Sequence, residues 1–173
     1  MPLRFSLGRE RAFPSARAPA GEFPVRFRPR LVQELRQDHD EARAAMRALL
    51  DACRRQAVDD VVAQLGRFGE PFRRAGLLKS VQLYPYLHWA LQRHRAAAAQ
   101  LKLLQHGIDS ATMRIDAAAS RYLDSPWSRA QREHYARDLA QAAQLFARTA
   151  RQEESAVFPL YMPPGNYRYV DGG

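Results

Sequence analysis

The sequence predicts an all-α protein: an up-down bundle of four long amphipathic helices, preceded by an irregular proline- and arginine-rich arm and followed by a short irregular tail. Three observations predict it. Apolar residues recur every three or four positions through four long segments, the periodicity of one buried helical face. No segment shows the strict two-residue alternation of a half-buried strand. The segments are joined by short connections, which make sequential helices antiparallel neighbours. With 173 residues, 46% of them apolar, the chain is large enough for one domain with a real core.

Residues 1–30 differ in kind from the rest. Five of the eleven prolines lie here (Pro2, Pro14, Pro19, Pro24 and Pro29), and so many fixed φ angles and missing donors prevent any regular element from running through. The stretch also carries Arg4, Arg9, Arg11, Arg17, Arg26, Arg28 and Arg30 against only Glu10 and Glu22, which concentrates in it much of the chain's net charge of +9. Interleaved Phe5, Phe13, Phe23 and Phe27 give this basic arm apolar side chains for docking on the bundle or on a partner. A loosely packed tail and a partner-binding or nucleic-acid-binding arm both remain open.

From Leu31 to about Arg55 the stripe Val32, Leu35, Ala42, Met46, Leu49, Cys53 marks the clearest helix, with His39 on the inward face. A second helix starts near Asp59 with Val61, Leu65, Phe68 and Phe72. Gly66, Gly69 and Pro71 interrupt it, and because an interior proline costs about 3 kcal/mol, a break or kink is expected near Gly69. The stripe then resumes as far as Tyr84-Pro85; continued past Phe72, it lands on Ala75 and Lys79, so a lysine faces inward. The third segment is expected from about Tyr86 to Leu123, carrying Leu87, Leu91, His94, Ala97, Leu101, Leu104, Ile108, Ala111, Ile115 and Tyr122 and bending at Gly107. The turn Asp124-Ser125-Pro126-Trp127 stops it and caps a fourth helix from about Arg129 to Val157, whose stripe includes Tyr135, Leu139, Ala142, Phe146, Thr149 and Glu153. Residues 31–161 thus form the bundle and 162–173 the tail.

Inward side chains from facing helices converge on one volume, so the informative residues are the polar ones on apolar stripes: His39, Lys79, His94, Thr149 and Glu153. Three stretches around them, Glu34-Leu35-Arg36-Gln37-Asp38-His39, Leu83-Tyr84-Pro85-Tyr86-Leu87 and Glu153-Glu154-Ser155-Ala156-Val157-Phe158-Pro159-Leu160-Tyr161, resemble the hemerythrin-like, or HHE cation-binding, domains over roughly Leu31 to Tyr161. In that family the second and fourth helices each carry a His-x-x-x-Glu pair shortly before an aromatic-proline corner. The i, i+4 spacing aims imidazole and carboxylate at one ion.

On this sequence those pairs fall on Ala75 and Lys79, and on Thr149 and Glu153. His39 matches the first-helix histidine, and His94 or His106 could stand for the third-helix one. The resemblance therefore implies the fold but not the family's iron or oxygen chemistry: no cofactor is expected, with iron as the runner-up. An ammonium at Lys79 repels cations. It either pairs with Glu153 in the interior, replacing the metal's charge while His39 hydrogen-bonds nearby, or reaches past Tyr84 into solvent. His39 itself reads as a satisfied core histidine ahead of a metal ligand.

Other chemistry is not visible. There is no glycine-rich phosphate loop, no nucleophilic serine motif and no pair of metal-binding cysteines. Cys53, the single cysteine, lies on the first helix's apolar stripe and reads as core. With no disulfide possible within the chain and no apolar run long enough for a membrane span or a signal sequence, the expected location is cytoplasmic. The functional expectation is a non-enzymatic regulatory or protein-interaction module. The alternatives are an iron-binding oxygen or redox sensor or store with a mononuclear site at His39, Glu153 and His94 or His106, and a basic protein that associates with nucleic acid or another anionic surface.

Overall fold

The computed structural model describes residues 25–124 and 126–167. Every regular element among them is helical: α1 (Leu31–Arg54), α2 (Val58–Leu78), α3 (Tyr84–Ala90), α4 (Arg95–Arg121) and α5 (Arg129–Gln152). Two π-helical turns, Lys79–Leu83 and Glu153–Val157, follow α2 and α5, and short 3-10 turns occupy Phe158–Leu160 and Pro164–Asn166. α1 packs on α2 and α5, and α4 packs on α5 and, more thinly, on α2. No helix of the described residues is long and apolar enough to cross a membrane.

Local chemistry sets the helix ends. α1 closes on Gln56, whose φ of 56° is left-handed. There Gln56 N–H donates to Cys53 O and Ala57 N–H to Ala52 O, both at 3.1 Å, the paired bonds of a Schellman motif that satisfies carbonyls of the last turn. α5 opens with a capping box: Gln131 N–H donates to Ser128 Oγ and Ser128 N–H to Gln131 Oε1. Trp127, just before it, is buried and donates its indole N–H to Tyr122 O at 3.2 Å, which pins the α4–α5 connection.

Two sequence expectations need correction. α2 runs unbroken through Gly69 and Pro71, because burial of Val61, Leu65, Phe68, Pro71 and Ala75 in its interface outweighs the local cost of the proline. The long third helix is in fact two. α3 ends at Ala90, and Leu91 to His94 form a hydrogen-bonded turn in which His94, with φ −108° and ψ 78°, has left the helical region. The ends of the first and fourth segments fall within a few residues of the periodicity-based limits.

The core has two parts. One gathers Met46, Leu49, Phe68, Ile115, Leu139 and Phe146; the other gathers Leu31, Leu35, Leu83, Tyr86, Leu87 and Phe158. The first residues of the tail are docked onto the second part: Tyr167 is buried and donates to Leu160 O at 2.6 Å, and Tyr86 donates to Met162 O at 2.5 Å. Val25 and Phe27 pack there too, and Phe27 stacks on Tyr161 with ring centroids 5.0 Å apart.

Candidate functional site

Between the two apolar clusters lies a polar one. The π turns position it. Tyr84 N–H donates to Lys79 O and Phe158 N–H to Glu153 O, each spanning five residues instead of four. In both cases the next residue is a proline, Pro85 or Pro159, with no N–H to extend the ladder. Lys79 and Glu153 therefore occupy matching places at the starts of two π turns on different parts of the chain.

Their side chains meet. Lys79 Nζ donates to Glu153 Oε1 at 2.6 Å, with the lysine side chain 10% and the glutamate side chain 1% exposed. The other oxygen, Glu153 Oε2, lies 3.1 Å from His39 Nε2. His39 Nδ1 in turn lies 2.8 Å from Glu154 Oε1, the atom that also receives Arg43 at 2.6 Å. Both ring nitrogens of a buried histidine thus face carboxylates, and its ring stacks on Phe158 at 5.5 Å. The chain of contacts runs from Lys79 in the interior through Glu153, His39 and Glu154 to Arg43 and Asp40 at the surface.

A second charged branch begins one residue earlier on α1. Asp38, 3% exposed, accepts Arg74 Nε on Oδ1 at 2.7 Å, and Arg74 also donates to Glu41 at 2.8 Å. Asp38 Oδ2 is buried without a hydrogen-bond partner, and the buried Tyr84 hydroxyl lies beside the Glu153 carboxylate without a bond of good geometry. Asp38, His39, Lys79, Thr112, Thr149 and Glu153, together with apolar neighbours, line a cavity of about 10 Å³, no more than a single water's worth of space.

The charges follow from this packing. Burial pushes the Glu153 carboxyl up, but the hydrogen bond from His39 and the Lys79 ammonium outweigh it and hold the group below its ordinary value. Burial first, and then the Glu153 and Asp109 carboxylates, push the Tyr84 phenol far up, so it stays neutral. Burial lowers the Arg43 guanidinium, yet its bond to Glu154 raises it overall.

Of the sequence-derived site residues, the structure brings His39, Lys79, Thr149 and Glu153 to one cavity. Thr149 spends its hydroxyl on Leu145 O at 2.9 Å. His94 is not with them: it is half-buried at the turn before α4, because the third segment breaks there. His106 is exposed on α4. Among the arm's arginines, Arg28 is tied down, donating to Gln82 and Glu34 while its backbone N–H bonds Tyr161 Oη at 2.8 Å. Arg26 and Arg30 are exposed, and Arg4, Arg9, Arg11 and Arg17 lie outside the described residues.

Sequence reasoning missed Asp38, Arg43, Arg74 and Glu154. Asp38 carried a usable signal, since it sits three residues after Leu35 and four before Ala42 on the same stripe. Glu154 did not, because only the π turn brings two successive glutamates to one histidine. Among the described residues, no group of three or more His, Cys, Asp or Glu is arranged to hold a metal ion. No family model, curated protein or solved structure matches this chain.

Proposed function

We propose that this chain is a non-enzymatic regulatory or interaction module built on an up-down, hemerythrin-like four-helix bundle whose ion has been replaced by an internal cation. The observation that carries this reading is the Lys79 ammonium 2.6 Å from a carboxylate that is 1% exposed, at the place where the family resemblance would put a ligand pair. A di-iron centre does not fit these residues. Glu153 offers one oxygen to Lys79 and the other to His39, and the ring nitrogens of His39 are both taken up by carboxylates. A cavity of about 10 Å³ leaves no volume for two ions with their ligands. A fixed positive charge in contact with the remaining carboxylate adds repulsion to any divalent cation.

The run Lys79–Glu153–His39–Glu154–Arg43, whose members pair with one another, is suited to holding helices in register, and it leaves action to the surface. That surface is basic, and the last residues of the arm, just before α1, are anchored by Phe27 and Arg28 on Tyr86, Tyr161 and Gln82. Affinity purification of the full-length chain from its own cells, beside a version lacking residues 1–24, tests the reading. The expected result is a defined protein partner recovered in stoichiometric amount and lost with the arm. Recovery of no partner by the full-length chain contradicts it.

A further inference from the structure

α4 is 27 residues long, about 40 Å, yet it buries only Leu101, Ile108, Ala111 and Ile115. Its opposite face is open. Leu103 and Met113 there are 75% and 68% exposed, the two largest exposures among the large apolar side chains of the described residues. Around them the exposed positions Ala96, Leu103, Ser110 and Ala117 recur at intervals of seven, with Met113 in the companion register three residues on. Apart from the exposed His106, that register is also small or apolar (Ala99, Met113, Ser120), and such residues repeating at a mean spacing of 3.5 make a seam along which a second helix can lie. At Gly107, beside the seam, an added Cβ would meet nothing within 4 Å, so none of the described residues fills the space there.

The edge charges indicate what fits. One edge of the seam reads Arg95, Lys102, Asp109, Asp116 at intervals of seven, basic in its first half and acidic in its second, and all four are exposed. An edge with opposite charge at its two ends complements itself when reversed. A uniformly acidic partner would instead meet Asp109 and Asp116, and a uniformly basic one Arg95 and Lys102. We infer that this face pairs with the same face of a second copy, the two α4 helices antiparallel about a two-fold axis near Ile108. Leu103 then lies against Met113 of the second copy, and Lys102 against its Asp116, each contact occurring twice. Two like-charge approaches oppose the pairing, that of the two Asp109 side chains near the axis and that of Arg95 to the Arg121 end of the second copy. A parallel pairing would also bring opposite charges together, Asp109 and Asp116 against Arg114 and Arg121, but it would require Arg121 to give up Asp138, which lies 3.3 Å away. This interface is independent of the Lys79 cluster.

Sedimentation equilibrium of the full chain at roughly 100 µM, a concentration suited to an interface at the small end of the specific range, tests the pairing. The expected mass is twice the 19.7 kDa of one chain. Leu103→Glu and Met113→Glu should each return it to one chain mass with unchanged helical circular dichroism, since both side chains are exposed. Lys102→Asp should weaken the dimer at least tenfold, and the added Asp116→Lys should restore it, a rescue that a merely misfolded variant would not show. In a Cys53→Ser background, an equimolar mixture of Leu103→Cys and Met113→Cys chains should form an intermolecular disulfide readily, and neither chain alone should. A wild-type chain that stays at one chain mass overturns the inference, as does a dimer indifferent to Leu103→Glu. So does Leu103→Cys cross-linking to itself as well as the mixture does.

Discussion

Replacing Lys79 with methionine keeps the length of the side chain and removes its charge. Glu153, 1% exposed, then loses its 2.6 Å ammonium partner and keeps only His39 Nε2 at 3.1 Å. Removing one member of a buried ion pair typically costs 3–5 kcal/mol, because the surviving charge stays desolvated. With His39 still in place, the lower end applies, about 3 kcal/mol. For a chain of this size each kcal/mol moves the melting temperature by about 2–4 °C, so the loss should be roughly 6–12 °C. The assay is thermal unfolding at pH 7 of wild type, Lys79→Met, Glu153→Gln and the double variant. The double variant should lose well under the sum of the singles, leaving a coupling energy of at least about 2 kcal/mol, because it removes both charges together. A Lys79→Met variant within about 1 kcal/mol of wild type, or additive single effects, would refute the reasoning and return Lys79 to the surface.

Other outcomes follow from the same geometry. Glu153 is held below its ordinary value of 4.5 in the folded chain, so its contribution to stability is complete above about that pH and is lost as pH falls through the depressed folded value. The melting-temperature gap between wild type and Glu153→Gln should therefore be widest near neutrality and close as the protein is taken to about pH 3; a gap that widens on acidification contradicts this. The Tyr84 hydroxyl is buried beside the Glu153 carboxylate without a bond of good geometry, so Tyr84→Phe should change stability by no more than about 1 kcal/mol, whereas a loss above about 1 kcal/mol by urea unfolding would reveal a true bond to that hydroxyl. Gln56→Gly relieves a left-handed residue at the end of α1, for an expected gain of about 0.5–1 kcal/mol in the same titration, with Gln56→Val going the other way. Burial raises the Cys53 thiol above its ordinary value, so a thiol reagent at pH 8 should modify it far more slowly than the unfolded chain; equal rates would place it at the surface.

Much of this was legible in the sequence, and the parts that were not share a cause. Periodicity located the long helices because burial of one face dominates their energetics, and α1 and α5 follow their stripes from end to end. The same regularity misled at Leu87, Leu91, His94 and Ala97, whose spacing suits a helix while the chain turns there with no glycine or proline to mark it. At Pro71 the error ran the other way: a local breaker was overruled by packing that spacing alone does not weigh. Lys79 and Glu153 could be placed inward by extending their stripes. Arg74 on Asp38 and Arg43 on Glu154 could not, since long side chains reaching across helices depend on crossing geometry that one sequence does not state.

Everything proposed for the interior rests on Lys79 holding the place that a cation would need. Iron content after anaerobic loading and desalting, compared between wild type and His39→Ala, tests this most directly. Neither protein should hold stoichiometric iron. One or two iron ions per chain in the wild type, lost on His39→Ala, would contradict it.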